Sequence, residues 1–201
     1  IACSNSGGFF GNEMKNAGLD MIIFEGKSDK PVYLFIDNDD IKLVDASDMW
    51  GTSVWDTEDK IKNDHQDPMI RVASIGISGE KGVKYACVVN DYHRAAGRSG
   101  VGTVMGSKNL KAVAIRGSKG VTVEDPKAFM AAVSAGKEVL AGNPVTGEGL
   151  PAFGTQVLMN VINETGALPT RNHRDVQFEG AHAISAEAMA EPRDSDGKPN
   201  L

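Results

Sequence analysis

The chain has 201 residues, 41% of them apolar, with 23 glycines and a formal charge of −6. That is enough to bury a core in one or two domains, while the acidic balance argues against a nucleic-acid partner, which calls for a basic patch or stripe. No run approaches the roughly 18 apolar residues of a membrane span, and Cys3 and Cys87 lie too far apart for a C-x-x-C pair. Two such cysteines supply neither a disulfide framework nor a thiolate metal site, and point to a reducing, cytoplasmic setting. The opening Ile1-Ala2-Cys3 has neither a Met start nor the basic region of a signal peptide, so the chain reads as part of a longer polypeptide.

In chain order, the first half predicts short strands between turns. Met21–Phe24 is a compact apolar run ended by Glu25-Gly26-Lys27. Val32–Ile36 follows Pro31, stops at the acidic cluster of residues 37–40 and resumes as Ile41–Val44, which predicts a hairpin. Thr52 or Ser53 can cap a helix over Trp55–Ile61, and Trp50 and Trp55 are expected in the core. Further strands are expected at Arg71–Ile75, Val83–Val89 and Lys111–Ile115. Beyond about residue 120 the character changes to Ala-rich, helix-favouring stretches at 126–140, 155–164 and 185–191. Asp125-Pro126 is an N-cap followed by Pro at the first helical position. The polar stretch 191–199 predicts a loop. The fold class is therefore α+β: a mixed, β-sheet-rich N-terminal domain over residues 1–120, followed by the start of an α-helical domain over 121–201.

Two Gly-rich polar turns carry the chemistry. Asn5-Ser6-Gly7-Gly8-Phe9-Phe10-Gly11 leads into a short helix, and Asn90 to Gly102 follows the Val83–Val89 strand. Small residues let main-chain N–H groups converge on an anion, and Arg94 and Arg98 can add charge-assisted bonds to phosphate oxygens. His93 can donate or accept near neutral pH. Nucleotide motifs are approached but not met. In Gly102-Thr103-Val104-Met105-Gly106-Ser107-Lys108 the Lys follows Ser, and the glycines at 100, 102 and 106 do not directly join a strand to a long helix. His65, His173 and His182 lack metal-binding helical spacing and are expected in solvated loops, while Glu13, Glu25 and Glu80 are lone carboxylates.

These turns, with Lys15–Asp20, Phe24–Lys27, Asp45–Gly51, Ala73–Gly76, His93–Ala112 and the stretch from Gly149 to Asn172, resemble the tungsten-dependent aldehyde:ferredoxin oxidoreductase family. The resemblance implies one tungsten, or molybdenum, between two dithiolene pterins, and a [4Fe–4S] cluster bound by residues outside this chain. It implies an oxidoreductase that takes aldehydes to carboxylic acids and passes electrons to ferredoxin or an iron–sulfur electron-transfer subunit, within an oligomer. The first domain would be part of the base under the pterins. The main-chain carbonyls of Asn5 and Ala95 would hold a magnesium ion bridging the pterin phosphates, and Ser6, Gly7, Gly8, His93, Arg94, Ala96, Gly97 and Arg98 would surround the pterins. No residue of this chain would be catalytic. A related family branch reduces aryl-CoA esters, and the non-enzymatic alternative is a module or subunit that binds a phosphorylated ligand.

Overall fold

The computed structural model describes residues 2–193, 195, 197 and 198. The chain divides into two compact units, one ending at Thr122 and one beginning at Val123.

The first unit is built on a mixed six-stranded sheet of β1 (Val32–Asp37), β2 (Asp40–Asp45), β3 (Arg71–Ser74), β4 (Val88–Asn90), β5 (Arg94–Ala96) and β6 (Leu110–Arg116). The strand order is β2-β1-β6-β3-β4-β5. β1 runs parallel to β6, and every other neighbouring pair is antiparallel. Four helices accompany it: α1 (Phe10–Asn16), α2 (Val54–Asp64), α3 (Ile77–Glu80) and α4 (Val101–Ser107). The fold is α+β, as the residue pattern predicts.

The neighbouring strands β1 and β6 are mostly apolar along their length because both of their faces are covered. On one face Tyr33 and Phe35 of β1 pack with Ala112 and Ala114 of β6, Val72 of β3 and Ile61 of α2. On the other, Val32, Leu34 and Ile36 pack with Val113 and Ile115 beneath Phe10 and Met14 of α1 and Met105 of α4. Small residues on β6 leave room for the two aromatic rings on the first face, and β-branched residues fill the second. Burial of each such Ile or Leu contributes about 1.5–3 kcal/mol.

Turn and cap chemistry fix the element ends. Asn38 takes the left-handed conformation at the β1–β2 turn (φ +52°), where Asn is tolerated. Ser53 caps α2 by accepting the Asp56 N–H at 3.1 Å. Two expected strands do not form as read. Met21–Phe24 has no ladder among the described residues; it lies extended with Ile22 and Phe24 against the core while Met21 and Ile23 are 70% and 73% exposed. Of Val83–Val89, only the end enters β4. Ala86 N–H bonds back to Val83 O, Gly102 N–H bonds to Ala86 O, and Tyr85 stands 83% exposed, so this segment becomes a platform for α4. Trp55 is also not in the core but 51% exposed.

The second unit contains α5 (Pro126–Ala141), α6 (Leu150–Phe153), α7 (Met159–Glu164) and α8 (Ala186–Ala190), linked partly by π- and 3₁₀-helical turns. Asp125 caps α5 through the Ala128 N–H at 2.9 Å with Pro126 in the first turn, and Ser185 caps α8 through the Ala188 N–H at 3.3 Å. Between α7 and α8 a tight turn is closed by Thr170 and Asp175, with Arg171, Asn172 and His173 all left-handed. The expected loop at 191–199 falls in part on Asp194, Asp196 and Pro199, which lie outside the described residues. No helix among the described residues is long and apolar enough to cross a membrane.

Candidate functional site

The second Gly-rich segment is not one turn but a hairpin and a loop. β4 ends at Asn90, residues 91–93 turn, and Arg94, Ala95 and Ala96 form the edge strand β5, with Val89 opposite Ala95 and Asn90 opposite Arg94. Gly97 and Arg98 follow as a loop into α4. Asn5, Ser6, Gly7 and Gly8 lie in the irregular segment before α1. All ten named residues are exposed except the half-buried Ala96, so they form an open surface.

The fold brings the two segments together across more than 80 residues of sequence. Ser4 Oγ accepts the Arg98 N–H at 3.0 Å, and Ser99 Oγ donates to Cys3 O at 3.0 Å. The buried Asn90 side chain, with its amide oriented by its neighbours, donates to Arg94 O (3.1 Å) and Gly7 O (3.2 Å) and accepts from Ser6 Oγ (3.2 Å). Asp91 Oδ2 accepts the Phe9 N–H at 2.5 Å, while Oδ1 accepts from Arg71 at 3.3 Å. Gly8 sits in this contact with φ +94°, and a Cβ there would lie 3.0 Å from Arg94 Cγ. At Gly7 and Gly97, by contrast, a Cβ would meet nothing within 4 Å, so their glycine character leaves open space above the main chain.

The electrostatics of this surface are positive. Every ion pair of the first unit leaves Arg94 and Arg98 out, so both guanidinium groups lack a carboxylate among the described residues. The nearby Asp91 is neutralised by Arg71. An open main-chain surface with two unengaged guanidinium groups suits a multiply charged anion. Among the described residues no group of three or more His, Cys, Asp or Glu side chains could hold a metal ion.

The turn itself is held from α2. Glu58 Oε2 accepts the Tyr92 N–H at 3.1 Å, and the Tyr92 hydroxyl donates to Asp59 at 2.7 Å. Burial, then the bond to Asp59, pushes the Tyr92 phenol above its usual range. Ser4, Glu58, Arg71, Asn90 and Asp91 were not singled out by sequence as site residues. The adjacent Asn90-Asp91 at a strand end is the one available signal, since Asx residues favour such turns.

Packing accounts for the glycines set aside as nucleotide motifs and corrects the reading of two carboxylates. The glycines that approach a nucleotide fingerprint serve helix contact: a Cβ on Gly106 would collide with Gly79 O, one on Gly102 with Cys87 O, and one on Gly100 with Lys84 O. Glu13 and Glu80 are not lone carboxylates. Glu13 accepts from Gly117 N–H (2.8 Å) and Arg116 (2.9 Å), and Glu80 pairs with the fully buried Lys111. His65 does lie in the turn after α2, but half-buried: it stacks on Phe35 at 3.8 Å and bonds the Tyr33 hydroxyl at 2.8 Å.

The chain belongs to the aldehyde ferredoxin oxidoreductase family: residues 1–117 match its N-terminal domain and residues 131–198 its domains 2 and 3. It is 52% identical over 190 residues to a tungsten-containing aldehyde ferredoxin oxidoreductase of Pyrococcus abyssi, covering 94% of this chain and 31% of that protein. A protein of the same description from Thermococcus kodakarensis is 51% identical over 189 residues, with the same coverage. Among solved structures, the active-site complex BamBC of benzoyl coenzyme A reductase, bound to 1,5-dienoyl-CoA, superposes with a TM-score of 0.71 at 34% identity, covering 92% of this chain and 30% of that one. The chain thus spans about a third of the length of the curated relatives it matches.

Proposed function

We propose that this chain is the cofactor-cradling segment of a tungsten or molybdenum bis-pterin enzyme that oxidises aldehydes to carboxylic acids. The observation that carries the reading is the joining of two Gly-rich segments into one open surface on which Arg94 and Arg98 have no carboxylate to neutralise them. When bound, the metal–pterin centre would supply the two-electron oxidation of aldehyde and water to acid and two protons, with the electrons leaving through a [4Fe–4S] cluster outside this chain.

The residues of this chain bind and orient. The main-chain carbonyls of Asn5 and Ala95 would hold a magnesium ion, which with Arg94 and Arg98 would offset the charge of the pterin phosphates. Ser6, Gly7, Gly8, His93, Ala96 and Gly97 would line the pterins, with the open space at Gly7 and Gly97 allowing close approach. Residues 1–120 would form part of the base domain and 121–201 the start of the helical domain. Ferredoxin or an iron–sulfur subunit would accept the electrons, in a cytoplasmic oligomer. Aldehyde chemistry is favoured over aryl-CoA reduction by the higher identity to the aldehyde enzymes, 52% against 34%.

The test is an anaerobic assay of the full-length polypeptide with a panel of aldehydes and a viologen dye. Aldehyde-dependent dye reduction is expected; turnover of aryl-CoA esters without any aldehyde activity would overturn the substrate assignment.

A further inference from the structure

An acidic side chain inside an anion-binding surface needs a reason, because a carboxylate repels phosphate. Asp91 is such a residue. Its side chain is only 11% exposed, and both oxygens are engaged, Oδ2 by the Phe9 N–H at 2.5 Å and Oδ1 by Arg71 at 3.3 Å. The Arg71 guanidinium also lies 5.1 Å from the centroid of the Phe9 ring. Asp91 therefore sits against Gly8 and Phe9 with both oxygens engaged and its charge balanced by Arg71.

The turn that delivers Asp91 is strained. Asp91 and Tyr92 hold φ of +44° and +61°, a region that Asp tolerates and a bulky Tyr does not. Such a conformation persists only where the surroundings over-determine it. Here α2 does so: Glu58 accepts the Tyr92 N–H, Asp59 accepts a hydrogen bond from its hydroxyl, and the Lys62 ammonium lies 4.6 Å from the ring centroid while bonded to Glu58 at 2.7 Å.

We propose that Asp91 is a positioning residue: clamped by α2 through Tyr92, it fixes the Gly7–Gly8 segment against β5 so that both segments meet a phosphorylated ligand already assembled. The proposal rests on the cofactor-cradling reading above. It predicts that ligand retention depends on a residue that does not touch the ligand.

The test compares the full-length wild-type protein with Asp91→Asn, which keeps a residue tolerant of the left-handed conformation but leaves one acceptor for two donors. Tungsten per chain after gel filtration is read beside mass-resolved hydrogen exchange. The expected result is a cofactor held on the order of tenfold less tightly, as for loss of a charge-assisted bond, read as tungsten lost during gel filtration, with faster exchange confined to residues 6–9 and 93–98. Wild-type tungsten and exchange in the variant would overturn the proposal. So would exchange that rises through β1 and β6 as well, since that marks general destabilisation. If Asp91→Asn does not fold, Arg71→Gln removes the other half of the clamp and must show the same confined pattern. If the wild-type protein holds no tungsten, the cofactor reading fails, and the exchange comparison still decides whether Asp91 fixes the Gly7–Gly8 segment.

Discussion

Gly8 and Asp91 leave no room for a side chain between them: a Cβ on residue 8 would collide with the Asp91 carboxylate, and Gly8 holds φ +94°. Both the space and the backbone demand glycine at this point. Gly8→Ala is therefore expected to part the two segments rather than unfold the sheet, which lies in other packing. In the full-length protein, far-UV circular dichroism should stay near wild type while tungsten per chain drops several-fold. A variant that loads tungsten normally would show that the close approach is not needed.

Arg94 and Arg98 carry charges that no carboxylate among the described residues neutralises. Replacing both with Ala should lower cofactor occupancy without changing substrate preference, because neither is assigned contact with the aldehyde. Tungsten analysis separates occupancy from turnover per loaded centre. Full loading in the double variant would remove the phosphate role.

Lys111 and Glu80 form an ion pair with side-chain exposures of 0% and 1%, and Lys111 also donates to Thr52 O at 3.1 Å while Glu80 accepts the Gly51 N–H at 2.8 Å. Removing one member of such a pair strands the other charge, at a cost of about 3–5 kcal/mol. Lys111→Met should therefore destabilise strongly in denaturant unfolding, and Lys111→Met with Glu80→Gln should recover part of the loss. A single variant as stable as wild type would mean that the pair is not buried in solution.

His65 carries a pH dependence of known sign. Burial, helped by the nearby Lys42, lowers its pKa from the ordinary 6.5, so the folded state favours the neutral ring stacked on Phe35. Its contribution to stability is fully present above that ordinary value and is lost as pH falls through the folded pKa. Stability measured from pH 7.5 to 5 should fall with a component that His65→Gln removes. An unchanged slope in the variant would assign the dependence to other groups.

Much of this was legible in sequence, and the exceptions share a cause. The β1–β2 hairpin announced itself by two apolar runs around an acidic turn, and Ser53 and Asp125-Pro126 marked helix starts by local chemistry alone. The ten candidate site residues stood out through glycine, arginine and the family resemblance. What stayed hidden depends on distant neighbours. Met21–Phe24 has the apolar content of a strand but no ladder among the described residues, and Val83–Ala86 gives up its strand to support α4. Lys111, at the head of an apolar run, gives no sign of its buried partner 31 residues earlier. Nor do Gly79 and Gly106 reveal that they touch each other. Asp91 was in view within the second segment, but its tie to Phe9 spans 82 residues and only the fold discloses it.

The most direct test of the central claim is metal analysis of the full-length polypeptide purified without oxygen. The cofactor-cradle account predicts about one tungsten or molybdenum and about four irons per chain, as for a single [4Fe–4S] cluster. A well-folded protein with neither tungsten nor molybdenum after expression in cells that make the pterin would contradict it.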